Sequence, residues 1–336
     1  MSAAPGSTAV SPAGGAADSI AGAPRGAERG AAPAAPVGRA RLLELSVRTN
    51  AAGSIRALSH FGAVIVVGVA ICHVRQVAGL AGAAPLIVLQ AYLVAFLFNP
   101  VHECAHKTAF RFRMLNTWVG HAAAGAVALP YEYYSLFHWD HHRYTQDPER
   151  DPELVTARAI PDNAPRLALW FSGVVQLTLR LRLLLRHALR GRVTARWIPE
   201  AKRGAIVAEA RCYVAVYLLL LVGSIALHTT ALIWVWLLPL FVGQALLRPY
   251  LLAEHTGCAR TRSAFENTRT TYTHAVVRWF AWNMPYHVEH HAYPSVPFHA
   301  LQDLNALVAP HAKHQGQGYR AVVAQCWRWF RTVERR

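Results

Sequence analysis

The chain has 336 residues, of which 54% are hydrophobic and only 15% charged, against about 25% charged in soluble domains. Its net charge of +16 comes with no nucleic-acid-binding motif, so the surplus reads as a cytoplasmic face turned toward anionic headgroups and excludes a nucleic-acid partner. Five cysteines with no C-x-x-C pair exclude a disulfide framework and a zinc ribbon.

Residues 1–38 are mostly Ala, Gly, Pro and Ser, with too few large apolar side chains to bury. They are expected to form a disordered tail, and they lack the basic start and apolar core of a secretory signal. A basic segment, Arg39–Arg48, opens the domain expected over 39–336. Residues 57–74 form a first candidate span and 84–101 a second, separated by a break from Gly79 to Pro85. From 212 to 247 there is no charged residue; as one helix this run would be about 54 Å long, far thicker than a bilayer. His228-Thr229-Thr230 interrupts it, predicting a hairpin of two spans at about 209–227 and 231–253, with Pro239 kinking the last.

Charge sets the orientation. The link between spans one and two carries one cation, Arg75, and the link between three and four carries none, so the opposite side is cytoplasmic. Residues 114–130 are also charge-free and nearly long enough to cross. They are expected to be tucked in or re-entrant, because crossing would put the histidines at 138–142 in the wrong compartment. Residues 165–192 pass from Leu169-Trp170-Phe171 into Arg180, Arg182, Arg186, Arg190 and Arg192, the pattern of a helix lying in the interface. The expected fold is an all-α membrane protein: four transmembrane helices beneath a cytosolic helical cap.

Three histidine clusters carry the chemistry. His138, His141 and His142 stand at i, i+3 and i+4, and His287, His290 and His291 repeat the spacing. His102 and His106 in H-E-C-A-H repeat the i, i+4 half. With 18 histidines, chance would supply about 0.05 copies of H-x-x-H-H, so two copies signal a metal site. Eight imidazoles exceed the needs of one ion, which makes two metals the economical reading, and zinc has no redox chemistry to offer. A redox pair at the membrane surface suits O2 activation against an unactivated C–H bond. Small-residue packing is the expectation for Cys104, despite its place in the first cluster.

H-E-C-A-H, F-H-W-D-H-H-R-Y-T-Q-D-P-E and W-N-M-P-Y-H-V-E-H-H-A-Y-P-S-V-P-F-H-A-L resemble the three histidine boxes of the membrane fatty acid desaturase superfamily, over about 57–311. The resemblance implies a cytosolic di-iron centre that uses O2 and two electrons to remove two hydrogens from a fatty acyl chain of a lipid or thioester. Its implied ligands are His102, His106, His138, His141, His142, His287, His290 and His291. Relatives add a histidine after the last span, where His255 stands, with Glu254 beside it. Leu251 departs from the Asn that some stearoyl-type members place four residues before that histidine. The first box has three intervening residues where that type has four, and the third box opens on His where front-end desaturases have Gln.

Ligating histidines usually pass their other N–H to a carboxylate or carbonyl, which nominates Glu103, Asp140, Asn283 and Glu289, and gives the acidic run Asp147–Glu153 a possible positioning role. The other histidines (60, 73, 121, 187, 228, 274, 299, 311, 314) are read as structural or interfacial, and Trp234 and Trp236 as packing or interface aromatics. No flavin, haem or iron–sulfur motif is visible, so electrons are expected from a separate ferredoxin or cytochrome b5 type donor. A hydroxylase or ketolase of fatty acids, carotenoids or sterols could use the same boxes. A His-rich metal transporter fits less well, because its ionisable groups would lie within the spans.

Overall fold

The computed structural model describes residues 36–156 and 164–333, so most of the expected tail lies outside the described residues. Helix α1 is Arg39–Leu45. Helix α2, Asn50–Phe96, begins where the Thr49 hydroxyl accepts from the Ala52 amide at 3.3 Å. It is two helical arms, 50–78 and 80–96, joined at Gly79, whose φ of 66° lies in the region glycine enters without Cβ strain. The arms lie against each other. A His60 ring nitrogen pairs with the Leu93 carbonyl at 2.9 Å, Gln90 Nε2 donates to the Val64 carbonyl at 3.1 Å, and Ile71 packs with Ala83 and Ile87. In a straight helix residues 60 and 93 would be about 50 Å apart, so the chain reverses at Gly79, the first residue of the expected break.

Helix α3, Phe98–Ala105, continues the second arm and carries His102. The segment 114–130 forms α4, Arg113–Ala126, with a short turn to α5, Tyr131–Tyr144. Fourteen residues rise about 21 Å, too short to cross hydrocarbon about 30 Å thick. Instead α4 packs on α3, and buried Asn116 both accepts from the Phe110 amide (3.2 Å) and donates to its carbonyl (2.9 Å). This keeps His102 and His138 at the same end of the molecule.

Helices α6 (Pro152–Thr156), α7 (Ala164–Phe171) and α8 (Val174–Arg190) follow. Leu177, Leu184 and Ala188 of α8 are buried, while Arg182, Arg186 and Arg190 face out. Helix α9, Glu200–Ala226, is apolar and outward-facing: only 22% of its most apolar window is buried, and Leu219, Val222 and Ile225 are exposed. Lipid tolerates such a surface; water does not. A π-helical turn, Ile233–Leu237, leads into α10, Leu238–His255. Pro239 has no N–H to offer the carbonyl four residues back, and that carbonyl, on Val235, accepts from Gln90 Nε2 at 2.9 Å instead. Helix α10 crosses α2 at Gly243, where a Cβ would collide with the Ala91 carbonyl and sit 2.7 Å from the Ala95 methyl. Among the described residues, three helices are thus long and apolar enough to cross a membrane, over 50–105, 200–226 and 233–255, the first folded back on itself.

The remainder is α11 (Ala264–Asn267), α12 (Ala275–Phe280), α13 (His287–Ala292), α14 (Leu301–Val308) and α15 (Tyr319–Val333). One element departs from the all-α expectation: β1 (Arg269–Tyr272) and β2 (His314–Gln317) form a parallel pair. The β-branched Thr270-Thr271 suits an extended conformation.

Candidate metal centre

Four elements deliver nine histidines to one place. His102 and His106 come from the end of α3, His138, His141 and His142 from α5, His255 from the last residue of α10, and His287, His290 and His291 from α13. They divide into two sets. Ring nitrogens of His102, His106, His138, His142 and His290 all lie within 4.8 Å of one another, as do those of His141, His255 and His291. His287 joins the second set through its Nε2, 3.2 Å from His255 Nε2. Helical geometry explains the division. Successive residues diverge by about 100°, so each His-His pair sends one ring to each set: His142 and His290 to the first, His141 and His291 to the second.

The inward-facing nitrogens of both sets converge on one another. Nε2 atoms of His138 and His142, and of His142 and His290, are 3.0 Å apart; that of His255 is 3.3 Å from His141 and 3.2 Å from His287. Adjacent positions around a six-coordinate ion with metal–nitrogen bonds of about 2.1 Å are about 3.0 Å apart, so these edges fit a metal. Both ring nitrogens of His102 and His106, and Nε2 of His291, are also buried with no hydrogen-bond partner among the described residues, which is costly unless an ion takes a lone pair.

The outward nitrogens of the second set are fixed. His141 Nδ1–H donates to Asp151 Oδ1 (2.9 Å) and His255 Nδ1–H to the Asn267 carbonyl (3.1 Å). His291 Nδ1–H donates to Thr145 Oγ1 (3.3 Å), whose own proton goes to the His141 carbonyl (2.7 Å). With the proton held on Nδ1, each ring keeps its Nε2 lone pair pointed inward. Burial, and then the neighbouring imidazoles, hold His138, His142, His287, His290 and His291 well below the usual imidazole range, and His106 down to about 3. They are neutral, as ligands must be. His141 differs: burial pulls it down, but the carboxylates of Glu153 and Asp151 outweigh that and raise it.

The nominated supporting residues sit elsewhere. Glu103 Oε1 accepts from Thr108 Oγ1 (2.6 Å) and the Phe298 amide (3.1 Å). Glu289 accepts from Thr270 Oγ1 and Asn305 Nδ2, each at 2.6 Å. Asp140 faces Arg143 at 3.5 Å, and Asn283 donates to the Phe298 carbonyl at 3.0 Å. None of the four bonds to a clustered ring among the described residues. Glu103, Asp140 and Glu289 each adjoin a clustered histidine in sequence, so their side chains leave the helix about 100° away from it and brace the surrounding loops. The carboxylate that does grip a ring, Asp151, lies in the acidic run; the Asn267 carbonyl and Thr145 hydroxyl gave no sequence signal. The Cys104 sulfur joins neither set, and His60 is spent on the Leu93 carbonyl.

Comparison with known proteins bears on this arrangement. The chain is 31% identical over 100 residues to a zeaxanthin 4-ketolase of Chlamydomonas reinhardtii, covering 29% of this chain and 21% of that protein. It is 23% identical over 236 residues to a putative sphingolipid delta(4)-desaturase/C4-monooxygenase of Caenorhabditis elegans, covering 66% of this chain and 59% of that protein. The chain therefore spans about a fifth and about three fifths of the length of these two relatives. The family model described as fatty acid desaturase matches residues 78–323, taking in every clustered histidine. On that match, the chain belongs to the fatty acid desaturase family.

Proposed function

We propose that this membrane protein is an O2-dependent oxidoreductase that introduces a double bond into a fatty acyl chain, carried on a lipid or a thioester, at a pair of iron ions. His102, His106, His138, His142 and His290 would hold one ion, and His141, His255, His287 and His291 the other. The observation that carries the reading is the pairing of two converging, largely buried imidazole sets with long apolar helices in a chain of this family. When bound, an iron pair supplies the O2 activation needed to break an unactivated C–H bond, which zinc, having no redox chemistry, does not. The balance is –CH2–CH2– plus O2, two electrons and two protons, giving –CH=CH– and two waters.

The chain's own residues keep the centre ready. Asp151, Asn267 and Thr145 hold the outward nitrogens of three rings, so that the Nε2 atoms of those rings face the ion. Burial of the first-box rings against those of α5 and α13 limits water at a centre where oxidising equivalents would otherwise be lost. In the membrane, the two arms of α2, α9 and α10 would supply four spans, with the histidines at the cytosolic ends of the second and fourth. A separate acidic donor of ferredoxin or cytochrome b5 type would bring the electrons to the basic cytosolic face.

A second reading keeps the site and inserts oxygen, giving a hydroxylated or keto product; the ketolase and monooxygenase named among the relatives favour it. Purified protein in nanodiscs with iron, a donor system, ¹⁸O₂ and acyl lipids separates the two. Desaturation yields a product two mass units lighter with no label, and hydroxylation a labelled product. No O2-dependent product from any acyl lipid or carotenoid would sink both.

A further inference from the structure

The two imidazole sets are unequal. One has five rings, whereas the other has the mutually close His141, His255 and His291 plus His287, and so is one donor short. Glu254 sits at that shortfall. Its Oε2 lies 3.7 Å from His287 Nε2, the nitrogen that is itself 3.2 Å from His255 Nε2. Which nitrogen a carboxylate faces tells its role. Asp151 grips His141 through Nδ1, on the outer side of the ring, which is how an orienting partner behaves. Glu254 faces the inner side, where the lone pairs converge. It also has no competing engagement: its side chain is 14% exposed, and among the described residues no hydrogen-bond donor reaches its carboxylate. A largely buried carboxylate without donors is costly, and a cation is what offsets that cost.

Charge supports the same reading. Nine neutral imidazoles would leave two divalent ions with all four of their positive charges, and Asp151 stands one ring away from the metal side. We propose that Glu254 binds through its carboxylate to the ion held by His141, His255, His287 and His291, making it a mixed nitrogen–oxygen site beside an all-nitrogen one. A side-chain shift of about 0.7 Å would bring Oε2 from 3.7 Å to the roughly 3.0 Å spacing of adjacent ligands. The two ions would then differ in donor charge, and the carboxylate-bound one would be the harder to reduce. This rests on the metal reading above, but not on any lipid reaction.

The test is ⁵⁷Fe Mössbauer spectroscopy with chelator titration, on the purified full chain and its Glu254→Gln and Glu254→Ala variants. The wild type should show two inequivalent iron sites. In Glu254→Gln, which keeps shape and removes charge, one doublet should shift and that ion should be lost at a chelator concentration at least tenfold lower. The other doublet should stay unchanged, which also reports an intact fold. Identical spectra and retention in Glu254→Gln would overturn the proposal, as would parallel loss of both ions in both variants, since the carboxylate is assigned to one. A wild type that fails to hold two irons would instead defeat the metal reading itself.

Discussion

Asp151→Asn is a nearly isosteric change with a calculable consequence. Asp151 is 2% exposed and both oxygens are committed: Oδ1 accepts from His141 Nδ1–H and the Glu153 amide, each at 2.9 Å, and Oδ2 from the Gln146 amide at 2.8 Å. Asparagine offers one carbonyl oxygen and one NH2, so one of these sides must meet a donor with a donor. If the NH2 faces His141, the ring escapes only by moving its proton to Nε2, which removes the lone pair from the metal side. If it faces Gln146, a buried amide is stranded. Either failure costs about 1–3 kcal/mol, and in both the carboxylate charge behind the His141 ring is gone, in line with the 10–100-fold loss of metal affinity typical when a ligand's outer partner is removed. In a chelator titration of purified protein followed by iron analysis, one ion should therefore leave Asp151→Asn at about 10–100-fold lower chelator. Retention equal to wild type would refute the reasoning, provided His141→Ala loses that ion in the same assay.

Replacing any one of His138, His141 or His142 by Ala should abolish turnover while the protein still reaches the membrane; a His141→Ala variant with wild-type product would remove α5 from the centre. His255→Ala should lose iron and activity, whereas His274→Ala, outside both sets, should keep both; equal behaviour of the two would strip His255 of its assigned role. With a net charge of +16, turnover supported by an acidic electron donor should fall as salt rises above about 0.1 M, where screening sets in over about 10 Å. Full activity of the purified chain with NADPH alone would contradict a separate donor.

The centre was legible in the sequence because imidazole spacing on a helix translates directly into direction. The division into two sets was not read: i, i+3 and i+4 spacing suggests one shared face, whereas the 100° between adjacent residues sends His141 and His142, and His290 and His291, to different sets. His255 could be nominated from its position after an apolar run and from the resemblance, even with Leu251 where some members have Asn. What could not be read is what backbone and loop geometry decide. The Asn267 carbonyl that holds His255 has no residue identity to betray it. Asp151 was one acid among several in its run, and only the turn after Thr145 aims it at His141. Glu103 and Glu289 were nominated for adjacency to histidines, the property that on a helix turns them away. Gly79 and Gly243 show the same contrast within the fold: the first was legible as a chain break, while the second matters because α10 crosses α2 there, a long-range fact that local pattern does not carry.

The most direct measurement is the metal content of the purified chain set against its O2-dependent turnover. Two irons per chain, with product formation that vanishes when iron is chelated or O2 removed and returns when both are restored, is the expected result. Zinc in place of iron, a single ion per chain, or turnover that survives iron removal would contradict a two-iron oxidative centre built from these nine histidines.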